Sequence, residues 1–106
     1  MGLHQMQHFN NLTPKQTELL GGTSEECGEV VQVIGKILRH GLDSYKPTDP
    51  SFTTNRQNLT AELADIAAMT DLLIENGVID ASDWKALKDK KRFRFEQYAH
   101  HMDDPV

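Results

Sequence analysis

Apolar residues recur at three- and four-residue spacings through three stretches of the chain, separated by polar sequence containing proline and glycine. Thr13-Pro14-Lys15-Gln16 opens the first stretch with threonine as cap, proline at the first helical position and glutamine three residues after the cap. The pattern predicts a helix running to His40, with Gly41 as its stop. Gly21-Gly22 is its weak point, since each helical glycine costs about 1 kcal/mol relative to alanine; a kink or break would fall there. Asp43 to Thr53 holds Pro47 and Pro50 among small polar residues and is expected to be a loop. Thr54-Asn55-Arg56-Gln57 repeats the capping pattern and opens a second helix ending at Asn76-Gly77. Asp80 caps a third, from Ala81 to about His100. No segment alternates as a strand does. The expected fold is therefore all-α: residues 1–12 form an arm, residues 13–101 one domain of three main helices, and residues 102–106 a frayed tail.

On a helical wheel, Cys27, Val30, Val31, Ile34, Ile37 and Leu38 of the first helix share one apolar arc. Glu26 sits at its edge, and Glu29, Val33, Lys36 and His40 continue away from it, with Glu25 just beyond. In the second helix Leu59, Leu63, Ile66, Ala67, Leu73 and Ile74 share the arc, Glu62 sits at its edge and Asp65 follows on the same side. Packing the two arcs together would gather Glu26, Glu29, Glu62 and Asp65 along one partly buried seam. Trp84, Leu87, Phe95 and Tyr98 of the third helix are expected to pack the core, and Cys27 to be an inert core thiol. The second helix is also apolar beyond its arc, at Ala61, Ala64, Ala68, Met69 and Leu72. Three helices this short leave such surface open, so a homodimer or homotetramer completing the core is expected. Gly21, Gly28 and Gly35 fall on one face and suit close approach of another helix or subunit, or of the flat face of a base.

Composition adds limits. The 106 residues are 38% hydrophobic and 25% charged, with net charge −5. That balance argues against a nucleic-acid polymer or a membrane surface as partner. One cysteine excludes an internal disulfide and a multi-cysteine zinc site, and suits a cytoplasmic location. No run reaches the roughly 18 apolar residues of a membrane span, and no secretory signal pattern opens the sequence.

Any single glutamate here is best explained as an ordinary surface acid. Two matched pairs, both at i and i+3 and both beside the apolar arc, are not. Unscreened, four carboxylates repel one another; a hard divalent cation reverses that, and Mg²⁺, with Mn²⁺ as alternative, fits all-oxygen ligands. A di-iron site is set aside because no histidine lies three residues after a glutamate. Lys36, two turns past Glu29, could meet phosphate oxygens. Arg39 and His40 could do the same or simply complement the helix dipole. The third helix carries Lys85, Lys88, Lys90, Lys91, Arg92 and Arg94, either as a phosphate-holding side or as a solvated face. His4 with His8, and His100-His101, are weak metal candidates.

Glu25-Glu26-Cys27-Gly28-Glu29 followed by Glu62-Leu63-Ala64-Asp65 resembles the E-E-x-x-E and E-x-x-D signature of the MazG-like, all-α nucleotide pyrophosphohydrolases. Through Ile34 to Gly41 the chain is similar to the short single-domain versions common in phage genomes, for which the host cytoplasm is the expected location. The resemblance implies Mg²⁺-dependent hydrolysis of a nucleoside triphosphate to the monophosphate and pyrophosphate. It implies Glu26, Glu29, Glu62 and Asp65 as metal ligands, with Glu25 as an accompanying acid. Lys36 and the basic third helix, at Lys88, Lys91 and Arg92, match places where the family contacts triphosphate; the asparagine often found near the last-helix lysine is not matched here. Water would attack without a covalent enzyme intermediate, Glu29 bridging two ions and Glu25 orienting or deprotonating the water. Two further expectations stand beside this one. The first is a dUTPase-like or dCTPase-like hydrolase of the same superfamily, or a phage branch acting on purine deoxynucleotides. The second is a non-catalytic helical interaction protein.

Overall fold

A computed structural model describes residues 9–106. The His4/His8 pair lies outside the described residues. The described residues form three helices: α1 Pro14–His40, α2 Asn55–Glu75 and α3 Ala81–Tyr98. Apart from an isolated bridge between Tyr45 and Thr54, no extended pairing occurs among the described residues. The all-α expectation holds, and no described helix is long and apolar enough to cross a membrane.

The helix starts form as the capping chemistry requires. Thr13 Oγ1 accepts from the Gln16 amide at 3.1 Å while Gln16 Oε1 accepts from the Thr13 amide at 2.9 Å. Thr54 and Gln57 repeat this at 3.1 and 2.8 Å, and Asp80 Oδ1 accepts from the Asp83 amide at 2.9 Å. α1 ends where Gly41 takes φ +93° and returns its amide to the Ile37 carbonyl at 2.7 Å. Gly21-Gly22 does not break α1. A Cβ on Gly22 would lie 3.2 Å from Met69 Cε, so the missing side chain there is what lets α2 approach closely. α3 stops at Tyr98, two residues short of expectation.

α1 and α2 pack as an antiparallel pair: Gly22 meets Met69 near one end, and Asn55 Nδ2 donates to the Gly41 carbonyl at 3.1 Å near the other. Among the described residues, Val33 at 9% exposure, Leu73 at 7% and Asn55 at 8% are the buried ones. Leu19, Val30 and Ile37 of α1, and Leu59, Ile66 and Met69 of α2, are half-buried around them. The connection between the helices is stapled rather than loose. Asn55 and Arg56 amides donate to the Ser44 and Leu42 carbonyls, Arg56 pairs with Asp43 at 2.9 Å, and the Tyr45 and Phe52 rings meet edge to face.

Three expectations need correction. The contact face of α1 is rotated from the apolar arc: Val33 is buried while Cys27, Val31, Ile34 and Leu38 are exposed, the last two of the valine–leucine set at 71% for Val31 and 82% for Leu38. Glu26 thereby lies in the helix–helix interface instead of beside it, and Cys27 is not a core thiol. On α2, Leu63 and Ala67 likewise face outward. Finally, Trp84, Leu87, Phe95 and Tyr98 do not enter a core, because every residue of α3 is exposed. Packing between helices is dominated by α1 against α2. α3 stabilises itself locally through Lys85–Asp89 and Arg92–Glu96 pairs, four residues apart, and through Lys88 Nζ lying 4.5 Å from the centre of the Trp84 ring. The resulting molecule is flat and long, about 60 × 41 × 20 Å.

Candidate metal centre

α1 places Glu25, Glu26 and Glu29 on successive positions of one turn, and α2 places Glu62 and Asp65 on another. The antiparallel register brings these turns opposite each other. Carboxylate oxygens of Glu26, Glu62 and Asp65 all lie within 4.8 Å of one another. Asp65 is exposed, whereas Glu26 and Glu62 are half-buried between the helices. Oε2 of Glu26 and Oε2 of Glu62 are buried and have no hydrogen-bond partner. Two facing carboxylates offer only acceptors, so either a shared proton or a cation must sit between them.

The titration behaviour follows from that geometry. The Glu62 carboxyl is pushed up to about 7, chiefly by its close approach to Glu29, then by burial and by Glu26. Glu26 is also raised, chiefly by burial, with the charges of Glu29 and Asp65 adding to it. Glu29 thus acts on both members of the facing pair, although it is not one of the three acids whose oxygens converge. Glu25 is exposed on the outer side of the same turn.

The donor set is all carboxylate, with neither nitrogen nor sulfur among the converging atoms. Hard cations of the Mg²⁺ class fit such a set, completing their six positions with water or phosphate oxygens.

A cleft lies at the C-terminal end of α1, and none of these acids lines it. It is lined by Lys36, Arg39 and His40 from α1, by Tyr45 and Lys46 from the stapled loop, and by Asn55 and Asn58 from α2. Asn58 lies one turn before Glu62 and Lys36 two turns after Glu29, so the cleft is on the same helix pair, one to two turns along from the acids. Three of the sequence-derived phosphate candidates, Lys36, Arg39 and His40, therefore come together. The other three do not: Lys88, Lys91 and Arg92 sit on α3, away from the acids, with Arg92 already paired to Glu96 at 3.0 Å. Tyr45, Lys46 and Asn58 were missed from sequence. Asn58 carried a legible signal, being four residues before Glu62 on the same helix face; the loop residues carried none, because their placement depends on the Tyr45–Thr54 bridge and the Arg56–Asp43 pair.

Comparisons of the chain with protein-family models, with curated proteins and with solved structures return no match.

Proposed function

We propose that this chain is a divalent-cation-dependent hydrolase of nucleoside triphosphates, releasing the nucleoside monophosphate and pyrophosphate. The observation that carries the proposal is the convergence of Glu26, Glu62 and Asp65 with two buried, unpartnered carboxylate oxygens. Acids alone would suit a structural cation. A cleft with four basic side chains further along the same helix pair suits a polyanion that carries its own metal-binding oxygens.

In this proposal Glu26, Glu62 and Asp65 hold Mg²⁺ or Mn²⁺, with Glu29 close enough to join them. A cation bound there offsets phosphate charge and lowers the pKa of coordinated water. Lys36, Arg39 and Lys46 hold the oxygens of the polyphosphate in the cleft. Glu25, exposed on the same turn, is the acid available to orient the attacking water or take its proton. Deprotonated Glu26 and Glu62 are needed for ligation, so cation binding displaces the proton that Glu62 otherwise retains near neutral pH.

The test is direct. The pure protein is incubated with each NTP and dNTP in the presence of Mg²⁺ and the products are resolved. Monophosphate and pyrophosphate are expected, abolished by EDTA and by Glu29→Gln, and the substrate panel identifies the base, including uracil and cytosine. Diphosphate with orthophosphate would contradict the cleavage position. A protein that binds Mg²⁺ yet turns over no nucleotide would return the chain to the class of helical interaction proteins.

A further inference from the structure

The cleft at the C-terminal end of α1 has two unlike linings. Lys36, Arg39 and His40 come from α1, whereas Tyr45 and Pro47 come from the loop that follows it. Its volume, about 550 Å³, falls within the range of small-ligand sites, on the order of 300–1,000 Å³. The cations suit phosphate oxygens. A tyrosine ring and a proline add nothing to phosphate binding, and a bare polyphosphate would leave them unused.

The loop accepts backbone strain in placing that ring. Phe52 holds φ +51°, a left-handed conformation that a bulky side chain rarely adopts. A closed turn keeps it there. The Phe52 amide donates to the Asp49 carbonyl at 3.1 Å, the Ser51 amide donates to Asp49 Oδ1 at 2.9 Å, and Thr54 bridges back to Tyr45. The strained residue carries a ring centred 5.3 Å from that of Tyr45 and turned 87° to it. Burial does not account for the strain, since Phe52 stays 57% exposed and Tyr45 48%. What the turn achieves is orientation. An edge-to-face neighbour covers at most one face of Tyr45, so the ring is braced in the cleft wall with a flat face left open.

A ligand that is anionic in one part and flat and aromatic in another matches both linings. We propose that Tyr45 is the platform on which the base of a nucleotide stacks, and that Phe52 is a positioning residue that holds the Tyr45 ring for it. This subsite presupposes the nucleotide substrate proposed above and adds recognition of the base to that of the phosphates.

Calorimetric titration in Mg²⁺ separates the two. One probe is inorganic tripolyphosphate, and the others are the α,β-methylene ribo- and deoxyribonucleoside triphosphates of each base. Tripolyphosphate carries at least as much negative charge, so charge alone would favour it. At least one nucleotide analogue is nevertheless expected to bind about tenfold more tightly than tripolyphosphate. Tyr45→Ala is expected to erase that margin while leaving tripolyphosphate binding unchanged, and Tyr45→Phe to keep it. Phe52→Gly is expected to shrink the margin while the melting midpoint stays close to that of the unsubstituted protein, because glycine takes φ +51° without strain. Equal binding of tripolyphosphate and every nucleotide overturns the base subsite and leaves the phosphate reading standing. Binding of neither overturns both. A Tyr45→Ala variant that weakens tripolyphosphate and nucleotide alike, or a Phe52→Gly variant that melts well below the unsubstituted protein yet keeps the margin, overturns the role given to that residue.

Discussion

Glu62 concentrates the chemistry of this molecule in one side chain. Its carboxyl titrates at about 7 in the folded chain, against 4.5 for an ordinary glutamate. The fold therefore holds this proton more tightly than the unfolded chain does. The resulting stabilisation is complete below pH 4.5 and is lost as pH rises through about 7. Glu26 is shifted in the same direction. Asp43, Asp49, Asp80 and Asp89 are shifted the opposite way, from 3.8 downward, so their contributions are already complete above that value and do not enter the window. In EDTA, thermal melts followed by circular dichroism are expected to fall in midpoint between pH 5 and pH 8, and added Mg²⁺ to restore the loss at pH 8. Glu62→Gln is expected to flatten that pH dependence and to remove the Mg²⁺ effect. A variant that keeps both would disconnect Glu62 from the site. In the cleft, Lys36→Ala and Arg39→Ala are each expected to weaken triphosphate binding about tenfold and monophosphate binding far less, as calorimetric titration with non-hydrolysable analogues would read. That factor corresponds to about 1.4 kcal/mol, close to the lower edge of the range of about 1.5–3 kcal/mol for a hydrogen bond to a charged group.

The helices divide into a pair that is held and one that is not. α1 and α2 are joined by residues whose polar atoms are all committed: Asn55 bridges to the Gly41 carbonyl, Thr54 caps α2, and Arg56 grips Asp43. Asn55→Ala leaves the Gly41 carbonyl without its partly buried donor and is expected to cost about 1 kcal/mol. Thr54→Ala removes the cap for about 1 kcal/mol more. The exposed Arg56–Asp43 pair is worth less, at most about 1 kcal/mol. Urea denaturation would rank the three, and a larger loss from Asp43→Ala than from Asn55→Ala would contradict that ordering. Both caps and all three helices were legible from the sequence, because capping depends on residues within three or four positions of each other. The loop's contribution to the cleft was not, since Tyr45 and Lys46 reach it only after Leu42 and Ser44 have paired with the start of α2.

As a folded object, one copy has little interior. Two apolar residues and one asparagine are buried, and the molecule spreads over a flat outline instead of closing. A copy this open would gain folding stability from a partner that covered its faces, and by mass action that gain would depend on protein concentration. The melting midpoint is expected to rise by several degrees between 1 and 100 μM chain, whereas a self-sufficient monomer would show none of that dependence. Hydrogen exchange gives a second view: α3 amides are expected to be protected in concentrated solution and to lose protection first on dilution.

Helix identity, helix ends and the spacing of the acids were all readable in one dimension. Each depends on neighbours within about four residues, and Glu25, Glu26, Glu29, Glu62 and Asp65 occupy the turns their spacing assigned them. The wheel placed Glu26 and Glu62 at the edges of their apolar arcs, whereas in the structure both lie between the helices with a buried carboxylate oxygen. Which part of each apolar arc would be used was another matter. Both arcs are wide enough to pack in more than one rotation, so the sequence left the choice open. The tertiary structure decided it through the register of α1 against α2, with Met69 over Gly22 at one end and Asn55 under Gly41 at the other. That register drew Val33 and Glu26 into the interface, turned Val31 and Leu38 outward, and made a facing carboxylate pair out of two solvent-edge acids.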